Sequence, residues 1–397
     1  MTAPRRSALA LAATFALFGF LVGTWISRIP AVKDNLALSN RTLGLALLGW
    51  PLGSVAASLA VPRWLSRVGS RPVVVIGAVA SAVALVLPAF ATNAVELAVA
   101  MFVFGLATGA LDIAANTHAA AVESAYGRSV FARLHASWSA GAFIGAGLGA
   151  VAAAADVGVR THFVVVACFV TAAAALVGGA LLPANVDRRR AEQPATRSWS
   201  LRPAVVLLGV IALVGFVVEA AIADWAAIYL HENIGTTLAV GAAGYATFAA
   251  VHLSVRFAGD RIMTRVDRVA VMQIGCIVAA AGYALLLGVP NVLTVFLGLA
   301  IVGAGIAAVV PAAFGAAGQL TSTTSAVGVA TVTGISYVGW AAAPPLIGVL
   351  AGDFTLRAAL LVPLVLALVG AGCARLPQLR VTLNSHAGST TTSSPPR

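Results

Sequence analysis

Three carboxylates, Asp112, Glu219 and Asp224, stand inside long apolar runs of a chain in which only 9% of residues are charged. An ionised side chain at the centre of a bilayer costs about 2.5–3.5 kcal/mol on insertion scales, so acids there face a cavity or a partner. An acid that alternates between dry and wet surroundings binds a proton in the first and releases it in the second. Asp112, Asn116 and Glu123 follow i, i+4, i+11 and so stack on one helical face, with Gly105 and Gly109 above them. That makes Asp112 the first candidate for proton coupling and Asn116 a candidate for binding a polar solute. Glu123, nearer the helix end, suits a solvated or gating place. Glu219 and Asp224 are five residues apart, about 140° round a helix, and cannot serve one partner. Glu219 is the deeper and is the second proton-coupling candidate.

These residues need helices that cross a membrane to position them. The chain has 397 residues, 60% of them hydrophobic, which excludes a soluble domain, a disordered chain and a disulfide-stapled fold. Cys168, Cys276 and Cys373 stand alone in three separate apolar segments and read as small hydrophobes. A bilayer-spanning helix takes about 20 apolar residues. Twelve such runs recur, near 8–27, 43–62, 72–91, 97–118, 136–155, 161–182, 204–229, 236–255, 269–288, 292–313, 326–349 and 356–374. Pro290-Asn291 and the polar segment 319–325 divide the charge-free stretch 269–352 into three. The expected fold class is an all-α membrane protein with twelve transmembrane helices.

The net charge of +11 is spread between the spans, not along one face, so the lipid bilayer and not nucleic acid is the expected partner. With the N-terminus inside, 19 of the 24 Lys and Arg residues fall in cytoplasmic segments, and only Arg28, Lys33, Arg41, Arg160 and Arg357 fall outside. The positive-inside rule then places both termini in the cytoplasm of a bacterial inner membrane. Residues 184–203, with Arg188-Arg189-Arg190, form the longest polar linker, and 377–397 reads as a disordered cytoplasmic tail. The two parts, 1–183 and 204–376, repeat each other. Residues 16–23 match 212–219 at an offset of 196, and 63–67 match 261–265 at 198, which predicts two parallel six-helix bundles.

A repeated six-helix half resembles the major facilitator transporters. The loop from Pro62 to Arg71 resembles that superfamily's basic signature loop. Arg67, the turn residue Gly69 and Arg71 fit it, whereas Pro62 and Ser66 replace the usual glycine and aspartate. The second half keeps Asp260 with Arg261 and Arg265, with Asp267 in the place of the turn glycine. The resemblance implies gating roles for Arg67, Gly69, Arg71, Asp260 and Arg261. Asp112-Ile-Ala-Ala-Asn116, His135-Ala-Ser-Trp-Ser-Ala-Gly141 and the helix 7 residues Glu219, Asp224-Trp225 and Tyr229-Leu230 resemble the fucose permease-like branch. There, an acid followed four residues later by Asn takes part in proton-coupled uptake. The branch's acid on helix 1 is replaced by Ile26, and its Asn-Pro pair by Asn116-Thr117. The branch therefore implies import of a sugar-like or other small polar solute without naming it.

Other positions carry weaker expectations. Trp25, Trp50 and Trp225 are placed either to line a solute cavity or to sit at the interface, since indoles suit both. Arg28 and Asp224 correspond in the repeat, and an ion pair between them would gate the outer side. His118 and His135 read as neutral interfacial residues. Gly141, Gly145 and Gly149 form a small-residue stripe for close helix packing. No catalytic or nucleotide-binding template matches, so neither an enzyme nor a cofactor nor a metal site is expected. The expected function is proton-coupled import by a monomer. Efflux of a drug or metabolite is the alternative, and a non-transporting sensor or scaffold a more distant one.

Overall fold

The computed structural model describes residues 3–127, 130–183, 202–319 and 325–379. Among the described residues all regular secondary structure is helical. This is how a chain satisfies its backbone where lipid offers no hydrogen bonds. Twelve helices are long and apolar enough to cross a bilayer: α1 Arg5–Asn35, α2 Asn40–Val68, α3 Ser70–Phe90, α4 Ala94–Tyr126, α5 Arg133–Ala154, α6 Val159–Gly178, α7 Pro203–Asn233, α8 Leu238–Gly259, α9 Arg268–Gly288, α10 Val292–Gln319, α11 Val327–Asp353 and α12 Leu356–Ala374. Each expected run overlaps one of them, with five runs passing a helix end by one to four residues. Several helices outrun the apolar core that announced them, most of all α1, α2 and α4, because Lys33, Asp34, Arg63, Arg67, Glu96 and Glu123 sit on helical turns and not in loops. Most of the linker and tail, 184–201 and 380–397, lies outside the described residues.

Polar side chains define the helix ends. Ser39 accepts from the Thr42 N–H at the start of α2, and Asn93 accepts from Glu96 N–H at the start of α4. Asn291 and Thr294 form a reciprocal capping box on α10. Gly69 ends α2 at φ 78° and Gly127 ends α4 at φ 67°, backbone that an L side chain resists.

Small residues let the helices close. On α1 and α5, Gly19, Gly23, Gly141 and Gly145 each lie against the facing backbone, at Trp138, Ala142, Ala16 and Phe20, while Gly149 meets the Ser27 side chain. The stripe expected to pack does so. Gly49 and Gly53 of α2 meet α4 in the same way, and Gly275 and Gly282 of α9 meet Gly305 and Gly298 of α10. In lipid, this interlocking replaces the hydrophobic drive that holds soluble bundles together. Leu59, Val95, Leu176 and Leu293 are exposed, as a lipid-facing surface requires.

By its contacts the chain divides into two compact units, each made of more than one stretch of sequence. One takes the chain up to Pro194 together with Ala223–Leu253 and Pro344–Leu356. The other takes Ala195–Ile222, Ser254–Ala343 and the chain from Arg357. Within the first unit, Gly44 of α2 and Gly348 of α11 approach so closely that a Cβ on Gly44 would fall 2.8 Å from the Gly348 Cα, too near for any side chain.

Candidate functional site

Midway along α4 the Asn116 amide donates 2.9 Å hydrogen bonds to both Asp112 Oδ1 and the Asp112 carbonyl. The i, i+4 spacing makes this bond local, and both residues are half-buried. Among the described residues Asp112 makes no ion pair, and Oδ2 carries no hydrogen bond. The structure thus sets a carboxylate in mid-span beside a neutral amide, with one oxygen unengaged. Gly105 and Gly109 lie against Trp50 and Ser54 of α2, so they serve packing on a neighbouring face. Glu123 accepts from the Val130 N–H at 2.9 Å.

Glu219 is half-buried in α7, and Arg256 of α8 is the cation acting on it. The two acids therefore differ in setting: Asp112 is held by an amide, Glu219 by a positive field.

The tryptophans, the Arg28 and Asp224 side chains and His118 lie as follows. Trp25 and Trp225 are both 0% exposed, and Trp25 packs on Phe163 of α6 with ring centroids 6.3 Å apart. Neither lines an open surface, because each indole fills the core. The Arg28–Asp224 ion pair is not formed among the described residues. Arg28 turns into its own half and donates to the Val157 carbonyl at 2.7 Å, while Asp224 stays buried without it. His118 is not interfacial either, being 1% exposed. Its Nε2 accepts the Leu182 N–H at 3.2 Å, which fixes the proton on Nδ1, facing Ser70 Oγ at 2.7 Å. Ser7 Oγ closes the node by accepting from the same N–H at 3.0 Å.

At the signature loop, Gly69 takes the left-handed turn the motif calls for. Arg67 and Arg261 are exposed and Arg71 is half-buried. No ion pair to any of them occurs among the described residues, and the Asp260 side chain lies outside those described. Asp267 keeps φ at −57° and instead caps α9, accepting from the N–H groups of Val269 and Ala270. An acid thus starts the next helix where the first half uses a glycine turn.

The densest charged cluster lies at the arginine-poor end, in residues not singled out from the sequence. Lys33 pairs with Glu232, Asp34 with His231 at 3.1 Å, and Arg41 with Asp353 at 3.0 Å. Asn40 reaches Glu232 at 3.5 Å. His231 and Glu232 are presented by a π-helical turn, Tyr229–Asn233, at the end of α7. Such wide turns are frequent at functional places. A signal for the cluster was present: the basic-acidic dipeptide Lys33-Asp34 recurs as His231-Glu232 at 198 residues, the repeat spacing, and the two pair crosswise.

The profile of the Major Facilitator Superfamily matches residues 7–323. The chain belongs to the Major Facilitator Superfamily. An uncharacterized transporter of Sinorhizobium fredii, y4wD, is 33% identical over 347 residues, which cover 87% of this chain and 92% of that protein. The fold is shared with a bacterial homologue of the human lysosomal transporter Spinster, in an inward-facing and occupied conformation, at a TM-score of 0.79 and 15% identity over 96% of this chain and 97% of that one. It is also shared with a D-xylose-proton symporter, at 0.78 and 12% identity over 96% and 99%. Major Facilitator proteins carry small solutes across membranes and are transporters, not enzymes.

Proposed function

We propose that the protein couples proton entry to import of a small polar, sugar-like solute, with the six-helix halves 1–183 and 204–376 rocking about the solute. Asp112 is the proton-coupling carboxylate and Asn116 its solute-binding neighbour. Glu219, balanced by Arg256, is the second proton or solute group. The observation that carries this is the mid-span Asp112 carboxylate, hydrogen-bonded through one oxygen to Asn116 and ion-paired to nothing among the described residues. A carboxylate without a fixed counter-charge gains most from a proton, and its insertion cost is unexplained by packing alone. The branch resemblance at Asp112 and Asn116 supports the same assignment, as does the fold shared with a sugar-proton symporter. The arginine asymmetry supports cytoplasmic termini in a bacterial inner membrane, and a monomer suffices for such a cycle.

The test is proton movement in proteoliposomes given pooled sugars and, separately, hydrophobic cationic drugs. A sugar pool that acidifies the lumen of wild-type vesicles, with the response lost in Asp112→Asn, is the expected result. A drug-driven change of opposite sign would establish efflux. Solute flux with no pH change in any pool would remove protons from the cycle.

A further inference from the structure

The His231 ring is held between two acceptors. Nδ1 faces the Thr236 carbonyl at 2.7 Å and Nε2 faces Asp34 Oδ2 at 3.1 Å. A carbonyl only accepts, so Nδ1 must carry a hydrogen. The Nε2–Oδ2 contact then needs a second proton, whether it rests on the ring or on the carboxyl. The geometry is thus that of a pair holding one proton more than a neutral imidazole beside a carboxylate.

We propose that His231 and Asp34 form a proton-operated latch, closed when the shared proton is present and loosened when it leaves. Its charged surroundings are settled without it. On α1, Lys33 pairs with Glu232, so no free cation faces the ring from that helix. On α7, Glu232 is turned to Lys33 and Asn40. From α11, Asp353 is engaged by Arg41. The crosswise pairs therefore divide the work: Lys33–Glu232 is a standing contact, and His231–Asp34 is the one that answers to pH. The side chains are 29% and 42% exposed, open enough to exchange protons with the medium on the arginine-poor side.

The sign follows directly. The contact exists only while the shared proton is held between the ring and the carboxyl, so acid closes the latch and alkali frees it. As a control on transport this rests on the alternating-access reading. As a pH-dependent contact it does not, and the test needs no solute.

The reporters are the backbone amides of Ile234 and Thr236, bonded to the Tyr229 and Leu230 carbonyls. Hydrogen exchange over 229–237 is followed in the full-length protein in lipid nanodiscs at about pH 5 and about pH 8, corrected for intrinsic rates. Wild type is expected to exchange about two- to fivefold faster at the higher pH, the ratio a half-exposed ion pair sustains. His231→Gln and Asp34→Asn are expected to remove the step. His231→Arg, a permanent cation, is expected to stay protected at both. A wild type without a pH step overturns the latch, and so does a step that survives in either neutral variant while that variant remains monodisperse.

Discussion

At the scale of single residues, the polar groups of the spans divide by what they are bonded to. His118 is enclosed by Ser7, Ser70 and the Leu182 N–H, and its tautomer is fixed by a backbone donor. Replacing it removes one of the two acceptors of the buried Leu182 N–H and the partner of Ser70, so His118→Ala is expected to cost about 1–3 kcal/mol. A lowered melting temperature of the purified protein in detergent would show this, and an unchanged one would mean that Ser7 alone satisfies Leu182. Asp112, by contrast, is bonded only to Asn116 among the described residues, and Asp112→Asn removes an ionisable group from mid-span, so it is expected to leave the melting temperature unchanged or raised while abolishing coupled proton movement. The Asp112–Asn116 pair was legible in the sequence because an i, i+4 bond is local. The charged cluster was not, because Lys33 and Asp34 served only to mark where an apolar run ended, and their partners lie about 200 residues away.

At the scale of elements, the hydropathy runs revealed the number of helices but not their lengths. Apolarity records what must lie in lipid, whereas a helix continues until its capping residues stop it, as Asn93 and Gly127 do for α4. The glycine spacing on α5 was a sound guide to packing, because the partner needs only a smooth backbone and not a particular side chain. It yields a comparison within one helix. A Cβ at Gly145 meets the backbone of Phe20, whereas one at Gly147 meets nothing within 4 Å. Gly145→Val is therefore expected to lower the melting temperature or the yield of folded protein sharply, and Gly147→Val to do neither, although both put the same β-branched residue into the same helix. Equal effects would mean that helix propensity and not the α1–α5 contact sets the outcome. The exchange of a left-handed glycine at Gly69 for a capping acid at Asp267 was half visible: the residue types were plain, but the dihedral that separates a turn from a cap was not.

At the scale of the whole molecule, twelve spans and a bias of 19 basic residues to one side support an orientation that can be tested without transport. Alkaline phosphatase fused after Asn291, in the α9–α10 turn, is expected to be exported and active. A fusion after Asp267, one span earlier, is expected to be inactive. The reverse pattern would invert the orientation and, with it, the side from which the latch senses pH. The repeat was legible as two short matches, and its deepest expression is the pairing of Lys33-Asp34 with His231-Glu232. A surface that pairs crosswise with its own counterpart is self-complementary, the property that closes a two-fold dimer. Two copies of a single six-helix half, each carrying a basic-acidic dipeptide there, would satisfy each other with two equal ion pairs. Joining the copies in one chain frees one basic position to differ, and the histidine that occupies it turns a symmetric clasp into one with a fixed strand and an adjustable one.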